Sequence, residues 1–309
     1  MIDSGQSILL ALHVGYKGTL FSGFAKQENQ FTVQGELERA LSMLTACPLE
    51  TVCAGRTDAG VHARSQFVSF DMPLEALSGR STYSLIRSLN ALTHEDIVVQ
   101  GIYCCSPEFS ARFNAQWREY HYHIHEGTAP PLFLNDFVWH IHHKLDHTLM
   151  NEAAKQLCGE HDFKSFCTKA SSLEKPTTRS IYELEVYPCI QMGEELICVR
   201  IRGNAFLHSM VRIIVGSLVE VGKSNKNPLW LKDVLQAQDR SFAGPTAPAK
   251  GLTFWDVGYP LGDLVPLDQV WEVLDLSKHT QLYESRDSSL CLIEDEQGHL
   301  SLINPARLM

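Results

Sequence analysis

The sequence predicts an α+β protein made of two modules of similar element content, followed by a short acidic extension. Three observations point there. Strand and helix signatures alternate from Ile8 to Tyr103 in an order that lays helices on one face of a sheet. A second run of strands and helices opens near Ser110 with the strictly alternating stretch WREYHYHIH. Beyond Tyr259 the composition turns acidic, with nine Asp/Glu against three Lys/Arg. No repeat of letters links the two modules, so the duplication is one of element order.

Each element follows from its own pattern. Ile8 to Val14 reads as a strand, and GYKGTLFSGF behind it as a loop or tight hairpin, with Gly15, Gly18 and Gly23. Thr32 caps a helix whose apolar stripe is Val33, Leu37, Ala40, Leu41 and Leu44. The loop AGRTDAGVHA then leads into an apolar, β-prone strand from Gln66 to Phe70. A second helix spans Tyr83 to Leu92, and a strand spans Ile97 to Tyr103. In the second module Tyr120, Tyr122 and Ile124 share one strand face, and His121, His123 and His125 share the other. A helix near Asn151 to Leu157 follows, then strands near Ile181 to Val186 and Leu196 to Arg202. Gly203-Asn204 turns the chain into a helix from Phe206 to Val221, with Leu207, Met210, Val211, Ile214, Leu218 and Val221 as its core stripe. YPLGDLVPLD reads as a linker, and Leu290–Ile293 with His299–Ile303 as a hairpin around EDEQG. The domains expected are therefore residues 1–109, 110–260 and 261–309.

Composition bounds the function. At 309 residues with 44% apolar and 20% charged side chains, the chain is of the globular class. Its apolar run from Ile8 to Leu12 is too short to span a bilayer, and no basic segment precedes it, so a cytoplasmic protein is expected. Nine cysteines without a Cys-x-x-Cys spacing point to reduced thiols rather than a disulfide framework. A net charge of −10 points away from nucleic acid, but residues 1–258 carry only −4, which leaves room for a basic groove.

Asp58 is the first candidate for chemistry. By itself, an aspartate in a glycine-containing loop is more often a turn former or cap than a catalyst. Two features shift that weight. Arg56, two residues back, favours the charged carboxylate that a nucleophile or base requires. Ala59 and Gly60 let a bulky substrate approach the backbone. Among the histidines, HYHIH with His140, His142 and His143 suggests a metal site. No carboxylate or cysteine pattern accompanies them, so surface-facing sheet histidines are expected, with no metal.

AGRTDAGVHA closely resembles the signature of the bacterial tRNA pseudouridine synthase A family. TVQGELERAL, FSARFNAQWREYHYHI, EHDFKSF, RGNAFLHSMVRIIVGSLVEVG and APAKGLTFWDVGYP resemble further blocks of that family, in order, over roughly residues 8–260. The resemblance implies two related RRM/ferredoxin-like modules, with antiparallel-rich sheets joined across a central cleft and helices on the outer face. It implies a cofactor-free isomerase that converts uridine to pseudouridine at three consecutive positions of the tRNA anticodon stem-loop, working as a homodimer. Asp58 would be the catalytic carboxylate, attacking the sugar or removing a proton from it. Tyr120 would stack on uracil, and Arg212 would pair with Asp58 across the cleft. Without the resemblance, Tyr120 reads as sheet packing and Arg212 as a solvated side chain. Arg56 would fill the space left by the extruded base or hold phosphate, or else pair with Asp58. Tyr122 reads as packing, and His208 as a phosphate contact or a cap of its helix face.

The pattern departs from the family at GYKG, at Phe24 and Ala25, and at Glu119 and His121, which stand where basic residues are common beside the tyrosine. The last change would lower positive charge next to an RNA groove and weaken binding and its salt response. Two other readings stand beside the enzyme: an inactive RNA-binding or tRNA-folding protein on the same scaffold, and a histidine-based metalloenzyme.

Overall fold

The computed structural model describes residues 7–106, 108–168, 176–270, 291–294 and 299–303. In chain order the first half contains β1 (Ser7–Tyr16), α1 (Val33–Thr45), β2 (Val52–Cys53), β3 (His62–Pro73), α2 (Leu74–Leu77), α3 (Thr82–Leu92) and β4 (Ile97–Cys105). The second contains β5 (Trp117–Glu126), β6 (Trp139–Ile141), α4 (His147–Ala154), β7 (Gly159–Asp162), β8 (Thr178–Gln191), β9 (Glu194–Gly203), α5 (Met210–Gly222), α6 (Trp230–Ala237) and β10 (Leu252–Gly258). Then come β11 (Leu264–Pro266), β12 (Cys291–Glu294) and β13 (His299–Ile303).

One mixed α/β sheet runs through both halves in the order β11-β4-β1-β3-β10-β5-β9-β8-β7. The main path of each half is antiparallel, β4-β1-β3-β2 in the first and β10-β5-β9-β8 in the second, with β6 added in parallel to β5. A parallel contact closes the seam, where Thr253 and Phe254 of β10 pair with His62 and Ala63 of β3. The seam thus forms at the start of β3, immediately after the AGRTDAGVHA loop. That placement sets this loop at the centre of the molecule.

Local chemistry explains most boundaries. Thr32 accepts a hydrogen bond from the Gly35 amide and starts α1; Ser81 does the same for α3 through Ser84. Asp146 caps α4 through the Thr148 and Leu149 amides. Leu10, Leu12 and Val14 of β1, Leu37 and Leu41 of α1, and Ile213, Ile214 and Leu218 of α5 belong to one continuous core.

Two expected elements change. The helix expected from Phe206 starts only at Met210, because Ser209 adopts a left-handed conformation (φ +58°) and breaks the turn ahead of it. The stretch read as a linker carries β11, which pairs with β4, and buries Leu267; Val270, just beyond it, is buried too. Leu264 and Val265 of β11 pack partly buried against the core at the edge of the first half. Of the expected hairpin, β12 pairs antiparallel with β13, and β13 pairs with β1 at Ser7 and Ile8; Leu290 and residues 295–298 of its turn lie outside the described residues.

His121, His123 and His125, expected on the surface, are buried. Alternation correctly puts them opposite Tyr120 and Tyr122, but this strand is covered on both faces. Trp255 of β10 stacks flat on His121, with centroids 4.1 Å apart, and the Arg64 guanidinium lies over Trp255. Leu134 and Val138, in the segment after β5, pack on Leu196 farther along the same side.

Candidate active site

The AGRTDAGVHA loop is fixed at both ends. Gln66 of β3 clamps Gly55, accepting from its amide at 3.3 Å and donating to its carbonyl at 2.7 Å. Arg118 donates from Nε and Nη2 to the Ala54 carbonyl and from Nη1 to those of Ala115 and Asn204. Its charge therefore ties three chain segments together without a carboxylate. At the far end, the Phe24 amide donates to the Thr57 carbonyl, and Tyr16 and Thr57 share a hydroxyl hydrogen bond of 2.8 Å. Gly60 turns the chain at φ +78°, a conformation other residues avoid, and faces the Ala249 side chain.

This frame holds Asp58 at the wall of a cleft of about 800 Å³. Arg112, Arg118, Tyr120, Arg179, Phe206 and Leu252 line other parts of it. Arg212 Nη1 donates to Asp58 Oδ2 at 2.9 Å, and the Ser209 hydroxyl donates to the same oxygen at 2.8 Å. Both donors come from the start of α5, three residues apart and so on one side of the helix. Arg212 is itself braced, since its Nε donates to the Ala247 carbonyl at 2.8 Å. The other carboxylate oxygen, Oδ1, lies 3.3 Å from His208 Nε2, and the His208 side chain is 58% exposed. Asp58 thus has Oδ2 held by two donors and Oδ1 beside the exposed His208; its side chain is 20% exposed.

Tyr120 stands on β5 with its ring edge-on to Phe206 and Phe254, centroids 5.2 and 5.1 Å away. Burial raises its phenol well above the ordinary tyrosine range, and the charges of Tyr16 and Asp58 act the same way against the opposing Arg118. The phenol is therefore neutral at physiological pH. A side chain at Gly55 would collide with Phe254 at 2.9 Å, so the absent Cβ lets the loop close over this aromatic group.

Four residues singled out in the sequence behave differently from one another. Asp58, Tyr120 and Arg212 meet at the cleft. Arg56 lines it as an exposed side chain, and among the described residues no ion pair joins it to Asp58, because Arg212 reaches that carboxylate instead. Glu119 and His121 lie on the opposite sheet face from Tyr120, where Glu119 pairs with Arg202 at 2.6 Å and with His121 at 2.9 Å. Their replacement of basic residues therefore takes no charge from the cleft; the residue beside Tyr120 on the cleft side is Arg118. Ser209 escaped the sequence reading, although its place three residues before Arg212 was a usable signal. Gln66 and Arg118 act on backbone atoms, which leave no mark in a sequence.

Residues 153–260 match a family model described as tRNA pseudouridine synthase. Among curated proteins, the tRNA pseudouridine synthase A of Brevibacillus brevis is 43% identical over 246 residues, covering 80% of this chain and 97% of the relative. That of Anoxybacillus flavithermus is 42% identical over 247 residues, covering 80% and 96%. That of Thermotoga neapolitana is 39% identical over 248 residues, covering 80% and 98%.

Proposed function

The chain belongs to the tRNA pseudouridine synthase A family, and from that premise we propose that it isomerises uridines of the tRNA anticodon stem-loop with Asp58 as the catalytic carboxylate. One observation carries the assignment of the residue: Asp58 is held through Oδ2 by Arg212 and Ser209 and lines the same cleft as Tyr120.

The chemistry follows from that arrangement. A uridine in a stacked stem must swing out to enter the cleft, at a cost of a few kcal/mol. Tyr120 then supplies a ring face for uracil, and Arg56, Arg112 and Arg179 supply positive charge for the neighbouring phosphates. Five cleft-lining arginines, counting Arg118 and Arg212, reconcile RNA binding with a chain of net charge −10. Asp58 Oδ1 acts on the ribose, adding at C1′ or taking a sugar proton. The bond from C1′ to N1 of uracil breaks, the base turns in place, and a new bond forms from C1′ to C5. The proton displaced from C5 leaves and N1 takes one up, so the reaction is an isomerisation with nothing consumed. Arg212 and Ser209 stabilise negative charge on Oδ2 throughout.

The same premise supports reading the two sheet halves as related RRM/ferredoxin-like modules, residues 1–109 and 110–260, with 261–309 appended. It also supports a cytoplasmic homodimer, which light scattering on the purified chain tests. Among the described residues no helix is long and apolar enough to cross a membrane.

Asp58→Asn is the decisive variant. An amide fits the same space and accepts from Arg212 and Ser209, but it is neither nucleophile nor base. Pseudouridine formation on transcribed tRNA, mapped by carbodiimide-dependent reverse-transcription stops, should fall at least about 10⁴-fold while tRNA binding stays within threefold or so. Activity near that of the parent would end the assignment.

A further inference from the structure

The back of the sheet holds a cluster that the isomerase reaction does not use. His121 and His123 are two residues apart on β5 and share a face; Cys198 on β9 is the cross-strand partner of His123. All three are buried, and one ligand atom from each lies within 4.8 Å of the others. Around a tetrahedral zinc ion, with bonds of about 2.0 Å to nitrogen and 2.3 Å to sulfur, ligand atoms stand roughly 3.3–3.8 Å apart. The gap left to close, from at most 4.8 Å to those separations, is about an ångström at the ligand atoms.

Surrounding groups suit a cation. Glu119 lies 2.9 Å from His121 Nε2 and is itself held by Arg202, the arrangement that orients a metal-bound imidazole. The Gln191 carboxamide lies 2.8 Å from His123 Nε2. With its oxygen turned to that nitrogen, neither ring's Nδ1 has a hydrogen-bond partner among the described residues. Arg200, the nearest guanidinium along β9, is neutralised by Glu183 at 2.7 Å and Glu185 at 3.0 Å. Burial lowers both imidazoles, His123 to about 4, so each carries a lone pair at neutral pH. Burial pushes the Cys198 thiol up to about 12, so in the empty cluster it keeps its proton.

We propose that His121, His123 and Cys198 form a binding site for a divalent cation of the zinc class, on the sheet face opposite the cleft. Water takes the fourth position, and Cys198 binds as thiolate, its proton passing to solvent as the metal–sulfur bond forms. The site ties β5 to β9 and contributes nothing to the ribose chemistry directly.

Cobalt(II) is the probe. The full chain, stripped with chelator under reducing conditions, is titrated and its absorption followed. One equivalent should give the thiolate-to-cobalt charge-transfer band and the intense visible bands of a tetrahedral ion, and zinc should displace both. Cys198→Ser should abolish the charge-transfer band, and both it and His123→Gln should weaken binding by more than about a hundredfold. Circular dichroism checks that these variants are folded, and His121→Gln replaces either one that is not. A triple variant at His140, His142 and His143, each to Gln, should bind as the parent does. The inference fails if the parent gives no stoichiometric charge-transfer band, if the band survives in Cys198→Ser, or if the triple variant loses it.

Discussion

Replacing Ser209 with alanine should slow catalysis about tenfold while leaving tRNA affinity alone. Its hydroxyl makes one hydrogen bond to Asp58, at 2.8 Å to Oδ2. A hydrogen bond to a charged acceptor contributes about 1.5–3 kcal/mol. The carboxylate is 20% exposed, and Arg212 still holds the same oxygen, so the lower end applies. About 1.5 kcal/mol is a factor of roughly ten in rate. Ser209 also sits at φ +58°, a strain of about 1–2 kcal/mol that alanine shares and glycine escapes. Ser209→Gly should therefore melt higher than Ser209→Ala yet be equally slow, which separates local stability from carboxylate positioning. Single-turnover release of tritium from C5-labelled uridine in tRNA gives the rate, and filter binding gives the affinity. Parental rates in Ser209→Ala, or recovery of rate in Ser209→Gly, would show that the hydroxyl does not aim Asp58.

Three further outcomes are expected. Tyr120→Phe keeps the ring and should slow turnover only several-fold, whereas Tyr120→Leu loses stacking of about 1–3 kcal/mol and should bind or turn over at least tenfold worse; equal behaviour of Tyr120→Leu and parent would reduce the residue to packing. Arg56→Ala should weaken tRNA binding and lower the slope of log affinity against log salt by about 0.7, the value for one phosphate contact on a single strand; an unchanged slope would remove Arg56 from the RNA surface. His123 is held near a pKa of about 4 by burial, with the neighbouring His121 adding to it, against 6.5 unfolded. Because the folded value lies below the unfolded one, the fold binds fewer protons. Stability is then full above pH 6.5 and falls as pH drops toward 4, by roughly 3 kcal/mol for this group. Urea midpoints across that window should show the fall, and His123→Gln should flatten it.

Much of the site was legible because its chemistry sits in short contiguous patterns. The AGRTDAGVHA loop, the alternating strand carrying Tyr120 and the helix carrying Arg212 each announce themselves locally. The partner of Asp58 was open from the residues alone, since Arg56 lies two positions away and Arg212 lies 154. Only the seam between β3 and β10 brings α5 to the loop and decides for Arg212. Likewise, alternation says that Glu119 and His121 oppose Tyr120, but not which face the cleft occupies. The structure places them behind the sheet, where their loss of positive charge leaves the groove untouched.

By itself the sequence determined most of the element order, because capping, period and turn chemistry act within a few residues, and it singled out Asp58 as the candidate carboxylate. The left-handed turn at Ser209, the β11 edge strand and the His121–His123–Cys198 cluster were decided only by the tertiary structure. Each depends on what covers a surface or crosses a strand, and pairing between segments some 75 to 160 residues apart is not written in either one.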